Sequence, residues 1–436
     1  MKIDKLAFQY WGWISKHWLA LGKFLKLFTL IGVIVVVKIY GMPTLAFATV
    51  QNNHTSVQRS GITLSVVGNQ VIYNNQRPYI PEGISIYGGL EDTDYQENIP
   101  NVDAQIVAAA KYWHANTIRL QIAESNLFSK VTPGRKYNQH FLRAIIKQVN
   151  LARSLNMFVV INDQTEFTSR TTGPTGVTVK FWKIMSMVFK NQPRIIFDLF
   201  NEPNIGHNNS HLLKDYLGRR HIHLGFLSKP NRLDRLLRGN SAETWNLWKN
   251  GGKFNGTRYI GMQTMVNQIR GYGVNNLIWV EGPNQARELP RRKYLITGGN
   301  IVYSFHHPNL NSPSAWGKIG TLSKYAPVVD GEWAQYQSPW AECFTRAYTN
   351  APIYLNYLLR HNIGIIAWSL QAGSLLQDKN HIIPTNLNSP RSPERPSNLK
   401  FPSKLFPSYD CGNEFGQGVG QLLQTYFAKN SMRYGG

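Results

Sequence analysis

Eight short apolar runs recur between residues 79 and 368, at 79–87, 117–122, 158–163, 194–200, 276–281, 301–305, 326–330 and 364–368. None alternates strictly between apolar and polar residues, as expected of parallel strands covered on both faces. Helical spacing fills several of the gaps, at 102–113, 141–155, 177–189, 262–269 and 351–360. The second of these places Phe141, Leu142, Ile145, Ile146, Val149 and Leu151 on one stripe. In the last, Pro352 falls where a first helical turn tolerates proline. A strand–helix unit repeated eight times predicts an α/β fold, the (β/α)8 or TIM barrel. Ahead of it, residues 61–83 alternate and break at Gly68-Asn69 and Asn74-Asn75-Gln76. That reads as an N-terminal β-hairpin that closes the bottom of the barrel.

Two stretches interrupt the rhythm. Residues 204–245 are too long for a simple loop and follow the fourth predicted strand. They carry His207, His211, His221 and His223, whose spacing matches no standard zinc site. They also carry Lys214, Arg219, Arg220, Lys229, Arg232, Arg235 and Arg238. The reading is a basic lid or subsite wall that makes the site mouth positive and favours catalysis in acid. Residues 378–409, rich in Pro, Ser and Asn, read as a long loop. A helical apolar pattern resumes over 416–427. The expected organisation is a leader at 49–60, one catalytic domain at 61–428 that includes the insertion, and a tail at 429–436.

Residues 1–48 have the layout of an export segment. Lys2, Lys5, Lys16, Lys23 and Lys26 precede the apolar run 27–37, and Ala46-Phe47-Ala48 supplies a small-x-small cleavage signal. Cleavage there starts the secreted chain at Thr49. Left uncleaved, residues 25–50 are the alternative, an anchor to the outer face of the membrane.

The net charge is +23, and the 388 residues after position 48 still hold 41 basic against 23 acidic side chains. Such a surface suits anionic surroundings, or reflects an acidic habitat. No phosphate-binding loop, zinc-finger spacing or basic recognition helix points to nucleic acid. The two cysteines, Cys343 and Cys411, have no metal or redox spacing. In an exported chain they form one disulfide or remain two thiols. No cofactor or metal is implied.

The chemistry is carried by two glutamates. Phe197-Asp-Leu-Phe-Asn-Glu-Pro203 ends the fourth strand with Glu202, and Val328-Val-Asp-Gly-Glu-Trp333 ends the seventh with Glu332. Strand ends of this kind open on one face of a parallel barrel, where active sites are built. Two carboxylates held there are the minimum equipment for cleaving a glycosidic bond. Glu281, ending the fifth strand, is the one rival carboxylate. Asp163 and Asp330 read as structural groups.

Over about residues 61–428 these motifs resemble glycoside hydrolase family 5, the cellulase family of retaining (β/α)8 glycosidases. Asn201-Glu202-Pro203 at the fourth strand, paired with Glu332 at the seventh, is the most specific mark. The resemblance implies that Glu202 is the acid/base and Glu332 the nucleophile. It implies that Asn201 binds the sugar 2-hydroxyl and that Arg119, in Thr-Ile-Arg-Leu, keeps the nucleophile ionised. His306 matches the sixth-strand histidine and Trp368 the eighth-strand platform. Two positions depart from the family. Gln164 stands where the third strand has histidine, and His306-His307-Pro308 replaces His-x-Tyr. His307 and Tyr336 are the candidates to replace the missing tyrosine.

The implied activity is a secreted or surface-anchored retaining endo-β-glycosidase acting on a polysaccharide, most simply a β-1,4-glucan. A β-mannanase or a transglycosylase is the alternative on the same fold, and a non-catalytic polysaccharide-binding or wall-binding protein is the alternative outside enzymes.

Overall fold

The structure is a computed structural model that describes residues 63–74, 77–92, 95–165, 172–205, 242–254, 256–306, 316–333, 347–370 and 419–434, all within the unit Ser60–Gly436. Eight parallel strands close into a barrel. In chain order they are β4 (Glu82–Ile86), β5 (Thr117–Ile122), β6 (Phe158–Asp163), β7 (Ile195–Asp198), β10 (Leu277–Glu281), β11 (Ile301–His306), β12 (Val328–Trp333) and β13 (Gly364–Ala367). Six of the predicted runs contain one of these strands, while β11 and β12 continue past the runs 301–305 and 326–330 to His306 and Trp333. A small antiparallel sheet precedes the barrel, formed by β1 (Leu64–Val67), β2 (Gln70–Tyr73) and β3 (Arg77–Pro78).

Side chains inside the barrel sort by depth. At its lower end Phe158, Val160, Ile196, Leu277, Trp279, Val302, Val329 and Ile366 form one apolar cluster, joined by Val71 and Tyr79 from the hairpin region. The hairpin therefore lies under the barrel, and the Tyr79 and Phe158 rings pack 4.3 Å apart. Higher up, alternate positions of the same strands turn polar and stay buried: Arg119 and Gln121, Asn162, Asp198, Glu281, Ser304 and His306. Apolar packing at one end and buried polar groups at the other leave one face for chemistry.

Helices cover the outside. They are α1 (Tyr95–Lys111), α2 (Glu124–Phe128), α3 (Gln139–Ser154), α4 (Gly176–Phe189), α5 (Ala242–Asn250), α6 (Met262–Gly271), α7 (Gly317–Leu322), α8 (Ala347–Arg360) and α9 (Val419–Tyr434). Asn138 caps α3 by accepting from the N–H groups of His140 and Phe141. Thr175 and Thr178 form a reciprocal capping box on α4. The outward faces of the strands and the inward stripes of the helices make the main core.

Several boundaries differ from the sequence pattern. α1 starts seven residues before the apolar stripe shows itself, and α8 starts at Ala347. Pro352 thus lies in the second turn of α8, because Thr349 and Asn350 extend the helix without any apolar signal. α9 continues past residue 428, the point set for a tail, and Asn430 donates to the buried Glu82 carboxylate at 2.6 Å. The hairpin β8 (Gly251–Phe254) and β9 (Thr257–Ile260) had no sequence signal, being short and glycine-rich. α5 begins inside the expected insertion, at residue 242. The rest of that insertion, 206–241, lies outside the described residues, as do residues 1–48, 378–409, Cys343, Cys411, His307 and Tyr336. Among the described residues no helix is long and apolar enough to cross a membrane.

Candidate active site

The site is built on the upper ends of five strands. Arg119 on β5 is fully buried at its centre. Its Nε donates to Asp198 Oδ2 at 2.9 Å and its Nη1 to Glu332 Oε2 at 2.9 Å. Its Nη2 donates to Asn201 Oδ1 at 2.6 Å and to Glu281 Oε1 at 2.9 Å. One planar guanidinium thus ties β7, the turn after it, β10 and β12 together. A fork of five fixed donors suits such a junction, whereas a lysine offers a single charged point.

Main-chain contacts set the height of each strand end. The Trp182 indole on α4 donates to the Leu199 carbonyl at 2.8 Å, and Trp248 on α5 donates to the Glu281 carbonyl at 2.6 Å. The N–H of Asn201 donates to the Asp163 carbonyl at 2.9 Å. Glu202 itself has φ +46°, a left-handed conformation that L side chains avoid. It is held there by its N–H, which donates to Glu281 Oε2 at 2.6 Å. Glu332 follows a register shift between β11 and β12. Gly331 beneath it leaves no room for a side chain, since a Cβ would lie 2.0 Å from Ser304 Oγ. The bulge and the glycine let the Glu332 backbone sit close against β11.

His306 joins the carboxylates. Its Nδ1 lies 3.2 Å from Glu202 Oε1 and 3.8 Å from Glu332 Oε2, and its Nε2 lies 3.1 Å from Glu281 Oε1. Burial alone favours a neutral imidazole, but the charges of Glu281 and Glu332 overcome it and raise the His306 pKa well above its usual value. Donor atoms of Glu202, His306 and Glu332 all lie within 4.8 Å of one another, a spread that would suit a metal ion. Carboxylates face both ring nitrogens of His306 and favour its protonated form, and a metal held by this imidazole would have to displace that proton.

The carboxyl groups differ in environment. Burial raises the Glu332 pKa to about 7, against the pull of His306 and Arg119. Arg119 pulls this carboxyl down, toward the ionised form, but by less than burial raises it. Burial also raises Asp198, Asp330, Glu82 and Glu91 to about 8, and Glu124 to about 7. Glu281 goes the other way. Its burial is outweighed by His306 and Arg119, and its pKa is lowered.

These shifts set a stability profile. The raised acids stabilise the fold fully below their unfolded values near 4, and the contribution fades as pH rises through about 7–8. His306, raised, acts in the same direction. The lowered Glu281 contributes above its unfolded value and is lost only in stronger acid. Between pH 5 and pH 8 the melting temperature should therefore fall as pH rises. Scanning calorimetry at an ionic strength that screens the +23 charge checks this, and a rising trend from pH 5 to 8 would refute it.

The remaining predicted residues fall as follows. Asn201 is buried against Arg119, and Gln164 is buried with its Oε1 accepting from Gln121 Nε2 at 3.0 Å. Trp368 is half-buried beside β13, and its ring meets that of Tyr87 edge-on at 5.1 Å. Asp330 accepts from the Tyr354 hydroxyl at 2.7 Å, and Asp163 accepts from Thr165. Sequence reasoning missed Asp198, Tyr87, Gly331 and the part played by Glu281. The signal for Asp198 was present, an acid at the end of a buried apolar strand, immediately before Leu199-Phe-Asn-Glu202.

Glu281 is placed differently from the two predicted glutamates. Its side chain is 0% exposed, with Arg119 and His306 on one oxygen and the Glu202 N–H on the other. The Glu202 and Glu332 side chains are 17% and 9% exposed. Only those two reach the open face.

Residues 88–374 match the family model Cellulase (glycosyl hydrolase family 5). A solved structure from Cytophaga hutchinsonii is 14% identical, with TM-score 0.53 over 86% of this chain and 97% of the other. The catalytic domain of the Thermobifida fusca endoglucanase Cel5A is 13% identical, with TM-score 0.52 over 84% and 97%. The Saccharophagus degradans β-glucanase SdGluc5_26A is 18% identical, with TM-score 0.50 over 74% and 90%. At these identities the structures share the fold. No curated protein matches the chain. With two thirds of its length matching the family model and its eight strands closed in a barrel, the chain belongs to glycosyl hydrolase family 5, the cellulase family, and is a glycoside hydrolase.

Proposed function

We propose that this glycoside hydrolase is a retaining endo-β-1,4-glucanase with Glu202 as acid/base and Glu332 as nucleophile. The observation that carries the proposal is the pair itself. Carboxylate oxygens of the two residues come within 4.8 Å where, among the described residues, a buried charge network opens to the surface. Retaining glycosidases hold their carboxyl groups about 5–5.5 Å apart, whereas inverting ones leave space for a water between them.

In the first step Glu202 gives its proton to the glycosidic oxygen as the leaving chain departs. Glu332 attacks the anomeric carbon and forms a glycosyl ester. In the second step Glu202 takes a proton from water, the water oxygen attacks the same carbon, and Glu332 leaves as carboxylate. Arg119 and His306 hold Glu332 on the attack side. Asn201 has its oxygen on the guanidinium, so its NH2 is the end offered to a sugar hydroxyl. The half-buried Trp368 offers an apolar floor for the C–H face of a sugar ring, braced by Tyr87. A β-glucan is the substrate that agrees with the family and with the endoglucanase and β-glucanase among the similar folds.

The test is turnover on soluble carboxymethyl-cellulose, mixed-linkage glucan and galactomannan, with NMR of the first product anomer. Cleavage of the glucans with a β-anomer supports the reading. Preference for galactomannan makes it a mannanase, and chain transfer in place of hydrolysis a transglycosylase. Binding without turnover on all three makes it a non-catalytic binder. We also propose export. Mass spectrometry of culture supernatant should find Thr49 as the first residue, and intact residues 1–48 in a membrane fraction would establish the anchor instead.

A further inference from the structure

We propose that Glu281 is a positioning residue of the catalytic centre, one buried carboxylate that fixes both the backbone of Glu202 and the imidazole that reaches Glu202 and Glu332. The proposal rests on the assignment of those two glutamates made above. Its basis is geometric. Oε2 accepts the Glu202 N–H at 2.6 Å, at a residue whose φ of +46° needs support from its surroundings. Oε1 accepts from Arg119 Nη2 at 2.9 Å and lies 3.1 Å from His306 Nε2. Across the imidazole, Nδ1 lies 3.2 Å from Glu202 Oε1 and 3.8 Å from Glu332 Oε2. The order is therefore carboxylate, imidazole, then the two groups at the open face. Glu281 touches neither the cleft nor the sugar, being fully buried.

The arrangement has an electrostatic consequence. His306 is faced by Glu281 on β10, by Glu202 after β7, and by Glu332 on β12. Asp330, Asp198 and the Arg119 guanidinium are the other buried titratable or charged groups nearby. The pair Glu281–His306 is neutral overall whether both groups are ionised or neither is. What changes is which end faces the reaction, and with both ionised it is the positive end. A positive charge at Nδ1 favours the ionised form of Glu332 between catalytic cycles. It also offers Glu202 a donor once that residue has given up its proton.

Glutamine at 281 keeps the shape but cannot keep all three contacts. With its oxygen toward Arg119 and His306, its NH2 meets the Glu202 N–H, donor to donor; turned over, its NH2 meets two donors instead. In Glu281→Gln, kcat on a soluble β-glucan should fall about 100-fold, the scale expected when a reacting group is misplaced by an ångström. KM should change little. The acid limb of the rate profile should move to higher pH, because His306 loses its main reason to be charged. Histidine NMR, with His306 assigned by its loss in His306→Asn, should show titration in the variant where the wild type is flat.

Glu281→Asp is the companion. It keeps the charge but is one methylene short, so the pH profile should stay with the wild type while kcat falls. An unchanged rate and pH profile in Glu281→Gln would overturn the proposal. So would a rate that falls only with the folded fraction while His306 titrates as in the wild type. If the wild-type protein cleaves no glucan, the glucanase reading fails, and the His306 titration alone then decides the role of Glu281.

Discussion

Glu332→Gln should remove turnover while leaving the barrel folded. The reaction needs an oxygen anion that can form and then release an ester at the anomeric carbon, and an amide does neither. The loss should be on the order of 10⁴-fold or more, the scale seen when one member of a covalent catalytic unit is deleted. Stability should change little. The amide oxygen can still accept from Arg119 Nη1, and Glu332 is not strongly anionic near neutrality, since burial raises its pKa to about 7. The same shift predicts an acid limb of kcat/KM near neutral pH, reporting ionisation of Glu332. That runs against an acidic optimum read from the basic insertion, most of which lies outside the described residues. A second variant assigns the role. In Glu332→Ala with azide and an activated glucoside, azide should enter from the vacated face and give the α-glycosyl azide, whereas Glu202→Ala should give the β-product. Wild-type-like turnover in Glu332→Gln, or a β-product from Glu332→Ala, would defeat the assignment.

The barrel was legible because burial on both faces leaves an unmistakable mark, eight apolar runs at regular intervals. The edges of its helices were not. Thr349 and Asn350 in α8 are polar residues inside a helix, so no hydrophobic period records them. The hairpin β8–β9 failed for the opposite reason. Lys253 and Arg258 point outward from a glycine-rich turn, and nothing apolar alternates there.

The two glutamates at the open face could be found from where they end their strands. The network behind them could not be found so easily, because the acceptors of Arg119 lie 79 to 213 positions from it along the chain. A finer reading had a usable clue. On β6 the inward positions run Phe158, Val160, Asn162 and then Gln164, and on β10 they run Leu277, Trp279 and Glu281. The change from apolar to polar at every second residue marks depth in the barrel. It identifies Asp198 and Glu281 as buried carboxylates in need of a positive partner, and Asn162, which donates to Asp198 Oδ2 at 3.0 Å, as a buried polar neighbour. It does not say that Arg119 is the shared partner, since one guanidinium serving four acceptors depends on strand register. Nor does it show that burial would outweigh the arginine at Glu332, because that balance depends on how many charges are packed together and how dry they are.

Arg119→Met should produce the largest loss of stability of any single change at this site. Methionine fills much the same volume and leaves Asp198, Glu281, Glu332 and Asn201 without their common donor. Removing one partner of a buried ion pair costs about 3–5 kcal/mol, because the other is left charged in a dry site. Here the stranded groups can escape part of that cost by taking up protons. The folded variant then binds more protons than the folded wild type, so its deficit should grow as pH rises. Denaturant unfolding at pH 5 and pH 8 should show the larger difference between the two proteins at pH 8. Activity at neutral pH should be lost as well, with Glu332 protonated and no longer held in place. Arg119→Lys should fall between the two, restoring the charge but not the four-way fork. A deficit below about 1 kcal/mol, no more than an ordinary exposed ion pair contributes, would show that the guanidinium is not what holds these strand ends together. A deficit equal at both pH values would show that the carboxylates do not titrate through it.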